Sequence, residues 1–437
     1  MKKVFFQQID NTGISIFRIL FGLLLMLEGF GAILTGWVRE VFILPEFTFS
    51  FIPFSFLQPL PGNGMYIYFI ILGILGAAIM LGYKYRIAII GYSLLWSGVY
   101  FMQKTSYNNH YYLMMLLCWI MVFIPAHRRY SIDAKRNPNL SSNHISRWVS
   151  ILFILQIGIV YTYASIHKFY PDWLDLTVAD NILSGIRRNP YIGSLFTHKF
   201  HSYAIAWVGI IFDLLIVPAL LWKPTRRTAF ILSVFFHLFN SFVLQIGVFP
   251  YMALSFSVFF FPPETLHRFF KIRKQNIYKK NEILFPKNYK SILLILGVYT
   301  CFQLGLPIRH YFIKDDVLWT DEGHKLSWRM MLRSRQGALK IYLKDKNTGE
   351  RIEYDYTKDL THKQARVMIA NADLIWQYIQ RIKKEKGADY AIYLNSKVSI
   401  NGGRFHPFID PEQDMSEVKW NYWGHNTWIL PSPESYK

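Results

Sequence analysis

Apolar residues fill the first 308 positions in long uninterrupted blocks divided by short polar stretches. The blocks lie at 15–37, 65–82, 87–103, 111–126, 148–167, 203–222, 228–246, 248–262 and 291–308. Most approach the ~20 residues that a helix rising about 1.5 Å per residue needs to cross a hydrocarbon core about 30 Å thick. They show neither strict alternation nor a narrow helical stripe, so the pattern predicts helices surrounded by lipid or by one another. Phe249-Pro250 interrupts the seventh and eighth blocks, which read as two short helices or one bent one. Residues 38–63 carry Phe47, Phe49, Phe51, Phe54 and Phe56 between prolines. That stretch is too broken for a span and predicts an aromatic interfacial loop.

The pattern changes after position 308. Residues 338–344 and 350–356 flank Asn347-Thr-Gly349 and predict a hairpin. Val367, Leu374, Ile375, Tyr378, Ile379 and Ile382 fall at helical spacing and predict one amphipathic helix over 362–384. Residues 390–400 predict another strand, and the tail from 403 is extended and rich in Pro, Trp and His. The expected fold is a polytopic α-helical membrane protein of about nine spans, with a small C-terminal α+β domain on the outer side. Residues 1–308 form the transmembrane helical domain, and 309–437 the extracytoplasmic one.

Composition agrees. The chain of 437 residues is 52% hydrophobic and 18% aromatic, more aromatic than soluble domains usually are. Its net charge of +20 would suit nucleic acid, yet the basic residues cluster in loops between apolar blocks. One set of loops holds Lys84 and Arg86, then Arg128, Arg129, Lys135, Arg136 and Arg147, then Lys223, Arg226 and Arg227, and finally the basic stretch 264–290. The opposite loops hold Arg39, Lys104, Lys168, Arg187, Arg188 and Lys199. The positive-inside rule puts the first set in the cytoplasm with the N-terminus. Nine crossings then leave 309–437 outside. The charge therefore serves topology and attraction to anionic lipid, and no nucleic-acid partner is expected. Arg18 and Glu28 within the first block argue for a retained anchor rather than a cleaved signal. Cys118 and Cys301 lie inside predicted spans and read as small buried residues.

Polar side chains at membrane depth are costly and so are candidates for function. Four clusters stand out. They are Tyr107-Asn-Asn-His-Tyr-Tyr112 at the mouth of the fourth span; His167-Lys168 ending the fifth, with Gln156 deeper; His237, Asn240 and Gln245 along the seventh; and Trp328-Arg-Met-Met331 with Arg333 after the last. The topology gathers the first, second and fourth on the outer side, with the third at membrane depth, as one outward-facing pocket would require. Each cluster also has a plainer role. Asn-Asn-His can cap a helix, Lys168 can snorkel to the headgroups, and His237 and Asn240 can bond neighbouring helices. Glu28 can pair with a basic or amide group, and Trp173, Trp420, Trp423 and Trp428 can serve as interface belt and packing. No zinc spacing, phosphate loop or nucleophile elbow is present, so no metal is expected.

These same segments carry a resemblance. Asn108-Asn-His-Tyr-Tyr-Leu113, Tyr163-Ala-Ser-Ile-His-Lys-Phe-Tyr-Pro-Asp-Trp173, Phe236-His-Leu-Phe-Asn240 and Ser327-Trp-Arg-Met-Met-Leu-Arg-Ser334 resemble vitamin K-dependent γ-glutamyl carboxylase. Phe17-Arg-Ile-Leu-Phe-Gly22 is similar to the family's membrane domain, and the tail from Asp410 to Pro431 to the ending of its short bacterial members. The resemblance implies an enzyme of the bacterial inner membrane whose cofactor is reduced vitamin K, a naphthohydroquinone, with O2 and CO2 as co-substrates. A lysine deprotonates the hydroquinone, oxygenation to the epoxide generates a strong base, and a peptidyl glutamate is carboxylated at its γ-carbon. Lys168 falls on that lysine and His110 on the histidine that stabilises the oxygenated species. Asn109, His237 and Asn240 fall at the cofactor, and Trp328, Met330, Met331 and Arg333 at the glutamate-binding region. A glutamate-containing protein or peptide is the implied partner, along with membrane lipid. The chain departs from the animal enzymes at His167, Arg329 and Arg333, lacks the part that grips a propeptide, and has no cysteines placed for their disulfide. Two alternatives stand beside carboxylation: a quinol epoxidase without glutamate carboxylation, and a transporter or lipid-binding membrane scaffold. The lack of repeated, broken-helix halves argues against the transporter.

Overall fold

A computed structural model describes residues 2–272 and 282–434. The middle of the basic stretch expected at 264–290 lies outside the described residues. Helices occupy all nine apolar blocks: α1 Thr12–Leu34, α2 Gly64–Leu81, α3 Tyr85–Met102, α4 Asn109–Phe123, α5 Trp148–Ile166, α6 Phe200–Leu221, α7 Arg226–Phe242, α8 Phe249–Ser255 and α9 Tyr289–Ile308. Five of them (α1, α2, α5, α6 and α9, the last counted with the turn that follows it) are long and apolar enough to cross a membrane. The eighth expected span is shorter than its block. It is the seven-residue α8 followed by a 3-10 turn, Phe256–Phe259, about 18 Å in all, against about 30 Å of hydrocarbon. Pro250 in its first turn and the non-helical 243–248 before it separate α8 from α7, so the interrupted stretch is two helices.

Close packing holds the bundle. A Cβ on Gly76 would sit 2.4 Å from the Met26 backbone nitrogen, and one on Gly29 2.6 Å from that of Gly73. Small residues that let backbones approach are how helices bind one another in lipid, where apolar contact alone drives nothing. Arg18 is buried in α1 and donates to the carbonyls of Ile79, Met80 and Tyr130, so it caps the end of α2. Glu28 accepts from the Tyr111 hydroxyl at 2.5 Å, a partner different from the basic or amide group expected. Cys118 is buried, whereas Cys301 faces outward from α9.

Contacts define two ends. At one, β1 (Gln8–Asp10) pairs antiparallel with β2 (His144–Ser146), Arg129 bonds Asp10 at 3.1 Å, and Thr12 meets His267 at 2.9 Å. At the other, the Tyr163 hydroxyl donates to the Leu304 carbonyl, and the His167 and His310 rings lie 5.6 Å apart. The segment from α8 to Phe259 runs between the ends: Phe249 touches His110 and His237, while the Val258 carbonyl approaches Gly13.

The C-terminal sheet has the order β4-β3-β5-β6, with β3 Arg335–Asp345, β4 Arg351–Tyr354, β5 Tyr390–Ile400 and β6 His406–Pro407, all antiparallel. Ile341 faces Leu394, and Leu343 faces Ile392. The single helix expected over 362–384 is two, α10 His362–Met368 and α11 Ala372–Lys386. The break has a tertiary cause. Gly337 of β3 passes so close that a Cβ there would lie 2.2 Å from the Ile369 carbonyl oxygen, and Arg335 takes the freed Ala370 carbonyl at 2.8 Å. Leu374, Ile375, Tyr378, Ile379 and Ile382 of α11 are buried with the sheet, together with Phe49 from the loop after α1. Part of the loop expected at the lipid interface thus belongs to the outer domain's core, while Phe56 stays exposed.

Candidate functional site

Lys168 ends the α5 segment, one residue past its C-cap His167, and does not snorkel. Its side chain is 9% exposed, and Nζ donates to Asp213 Oδ2 at 2.5 Å and to the Gly209 carbonyl at 3.3 Å, both on α6. The Trp173 ring lies 5.3 Å from Nζ, and its Nε1 donates to the Ala206 carbonyl at 3.2 Å. α6 passes close by at Gly209, where a Cβ would lie in ordinary contact with Nζ at 3.6 Å. Breaking a buried pair strands the surviving charge and costs about 3–5 kcal/mol, so each partner holds the other in place. Asp213 was missed in the sequence. Its signal was a lone acid inside an apolar block, which is itself a candidate by the cost of burying it.

Two turns back along α5, about 10 Å from Lys168, the Tyr161 hydroxyl bonds His237 Nε2 at 2.8 Å. Phe249 then joins the clusters. Its ring lies 5.9 Å from His237, 6.4 Å from Tyr161 and 5.6 Å from His110. The Nδ1 atoms of His110 and His237 are both buried without a hydrogen-bond partner. Asn240 is buried at the end of α7, where its carbonyl accepts from Ile246 N.

The Tyr107–Tyr112 segment divides its labour. Asn108 is the N-cap of α4, accepting from Tyr111 N at 2.7 Å, which leaves Asn109 free for a distant partner. Asn109 Nδ2 donates to the Arg329 carbonyl at 2.9 Å, and the Tyr107 hydroxyl accepts from Leu326 N at 2.7 Å. Tyr112 stacks on Trp328 at 4.7 Å. These three contacts hold a strained loop: Leu326, Trp328 and Met331 have φ of +61°, +56° and +55°, values that side chains larger than glycine adopt only when their surroundings impose them. Met330 packs on the membrane core and Met331 is exposed. Arg333 is engaged by the Asp321 carboxylate and the Leu318 carbonyl. Arg329 instead lines a cleft of about 400 Å³ with His167, Tyr170 and His310. Burial, and after it the nearby Arg333, push the Arg329 guanidinium down to about 10, so it stays charged at neutral pH.

The structure therefore brings His110 and His237 to one aromatic ring, ties Asn109 to the Trp328 segment, and seats Lys168 against α6. His167, next in the chain to Lys168, faces the cleft in its place. Residues 6–264 match the HTTM domain, a membrane domain, and residues 288–435 match the lumenal domain of vitamin K-dependent gamma-carboxylase. No solved structure matches the chain. A helical membrane bundle fused to a lumenal-type sheet domain is the class of protein these matches define. The chain belongs to the vitamin K-dependent gamma-carboxylase family, whose members depend on vitamin K and act on glutamate-containing proteins.

Proposed function

We propose that this chain is an integral-membrane γ-carboxylase that couples epoxidation of reduced vitamin K to carboxylation of a peptidyl glutamate. One observation carries the reading: an amine at the membrane end of α5 is turned away from the headgroups into a buried contact with a carboxylate. In that setting Lys168 acts as the neutral amine: Nζ takes the hydroquinone proton, the hydroquinone is left as its anion, and Asp213 Oδ2 pairs with the ammonium that results. The cluster two turns back along α5 suits a flat apolar ring bearing oxygens. Phe249, Tyr161 and the stacked Phe212 and Phe236 supply apolar area, and the free Nδ1 atoms of His110 and His237 supply polar contacts. Asn109, which holds the Arg329 carbonyl, and Asn240 complete the cofactor side. Trp328, Met330 and Met331 form the glutamate side, and Arg333, held by Asp321, anchors their segment instead of meeting the glutamate. When bound, reduced vitamin K supplies, with O2, the base that removes the γ-proton, and CO2 becomes the new carboxylate. A site walled by aromatic rings keeps water from quenching such a base.

The loop charges support an N-terminus in the cytoplasm and the 309–437 domain outside, with the short segment from α8 to Phe259 completing the passage between the two ends inside the bundle rather than as a lipid-length span. The lumenal-domain match favours carboxylation over an epoxidase lacking an acceptor, and over a transporter. The purified protein is assayed with reduced vitamin K, O2, labelled CO2 and a glutamate peptide. Wild type is expected to form epoxide and labelled peptide together, and Lys168→Ala to lose both by at least ~100-fold, the scale of a missing general base. Normal epoxide formation by Lys168→Ala would remove the mechanism, and epoxide without label would leave only the epoxidase.

A further inference from the structure

We infer that the cleft beside the α5 terminus is a carboxylate-binding site with Arg329 as its anchor, which deepens the carboxylase reading above by assigning the group that receives the acceptor. Buried cations around it are already matched. Arg333 and Lys325 pair with Asp321, Lys104 with Asp373, and Lys168 with Asp213. Arg329 differs. It is 7% exposed, its Nη1 meets His310 Nε2 at 3.2 Å, its Nε has no hydrogen-bond partner, and among the described residues no carboxylate lies within ion-pair distance of it. Three acids line the same cleft, and each is turned to a partner other than Arg329. Asp172 accepts from Asn401 Nδ2, Asp315 from Ser432, and Asp316 from Leu318 N. A buried guanidinium lacking a carboxylate, open to a cavity of about 400 Å³ with room for one, is a fork awaiting an anion.

The backbone aims it there. The left-handed Trp328 and Met331 bracket Arg329, and Asn109 fixes its carbonyl. Arg333, four residues on, cannot take this role while Asp321 and the Leu318 carbonyl hold its fork. His167 lies in the same wall, so a carboxylate on Arg329 sits beside the turn that bears Lys168. Two carboxylates fit this chemistry: the side chain of an acceptor glutamate, and bicarbonate.

The full-length protein in lipid nanodiscs, without quinone or O2, is titrated with a short fluorescent peptide carrying one glutamate and with its glutamine twin, each with and without excess bicarbonate. Wild type is expected to prefer the glutamate peptide by about tenfold or more, and Arg329→Met to erase the preference. If both peptides bind alike but bicarbonate displaces them from wild type and not from Arg329→Met, the carboxylate held is the inorganic one. A glutamate preference that survives Arg329→Met, or a wild type responding to neither anion, overturns the assignment. Should Arg329→Met not fold, Arg329→Lys decides: loss of the bidentate fork should cut the preference by about threefold, and an unchanged preference overturns it. The readout involves no turnover. Failure here leaves Lys168 as the base, and failure of the epoxide assay leaves the cleft as a binding site.

Discussion

Two buried sets of charges in this molecule are arranged in opposite ways. Between α5 and α6 a single amine meets a single carboxylate, with Trp173 alongside. At the seam between the bundle and the outer domain, Lys104, Lys325 and Arg333 interlock with Asp321 and Asp373, so each acid serves two cations. A network of this kind keeps its form when one member titrates, which suits it to locking a domain in register. An isolated pair has no reserve, so every proton that moves changes its charge balance. The seam is built for position, and the pair for chemistry.

Substitution can break that contrast, and the larger effect is expected at the pair. Asp213→Asn keeps the shape but removes the charge that balances Nζ, and epoxide formation by the purified protein should fall at least tenfold. A turnover rate unchanged in Asp213→Asn would mean that the pair is structural, like the seam. Asp321→Asn should spare most turnover and act on stability. Burial alone would raise the Asp321 carboxyl, but Lys325 and Arg333 hold it well below its usual 3.8. A group so depressed binds fewer protons folded than unfolded. The stability it adds is whole above about pH 4 and is lost as pH falls through the folded value. Thermal melts of wild type should therefore weaken below about pH 4. Asp321→Asn should melt lower at neutral pH, by about 3–5 kcal/mol, and show less of that acid-side loss. Parallel pH profiles for the two proteins would refute the seam's role.

The sequence displayed the two regions unequally. The helices were legible because lipid-length apolar blocks allow few other structures, and the 338–344/350–356 hairpin because its turn residues mark it. The break between α10 and α11 was not, since the cause is Gly337 of another element pressing on the Ile369 carbonyl, which no periodicity records. Asp213 was visible as a lone acid, but its partner lies 45 positions away. Arg329 and Arg333 look alike in sequence. Only the left-handed backbone around one, and the carboxylate on the other, tell them apart.

The central claim is that Lys168 and Asp213 act as one unit. Epoxide formation by Lys168→Met, Asp213→Asn and the double variant tests it most directly. Groups that act together give losses that do not add, so the double variant should be no slower than Lys168→Met alone. A double variant slower by the product of the two single losses would show that the carboxylate and the amine work independently, and the account would fail.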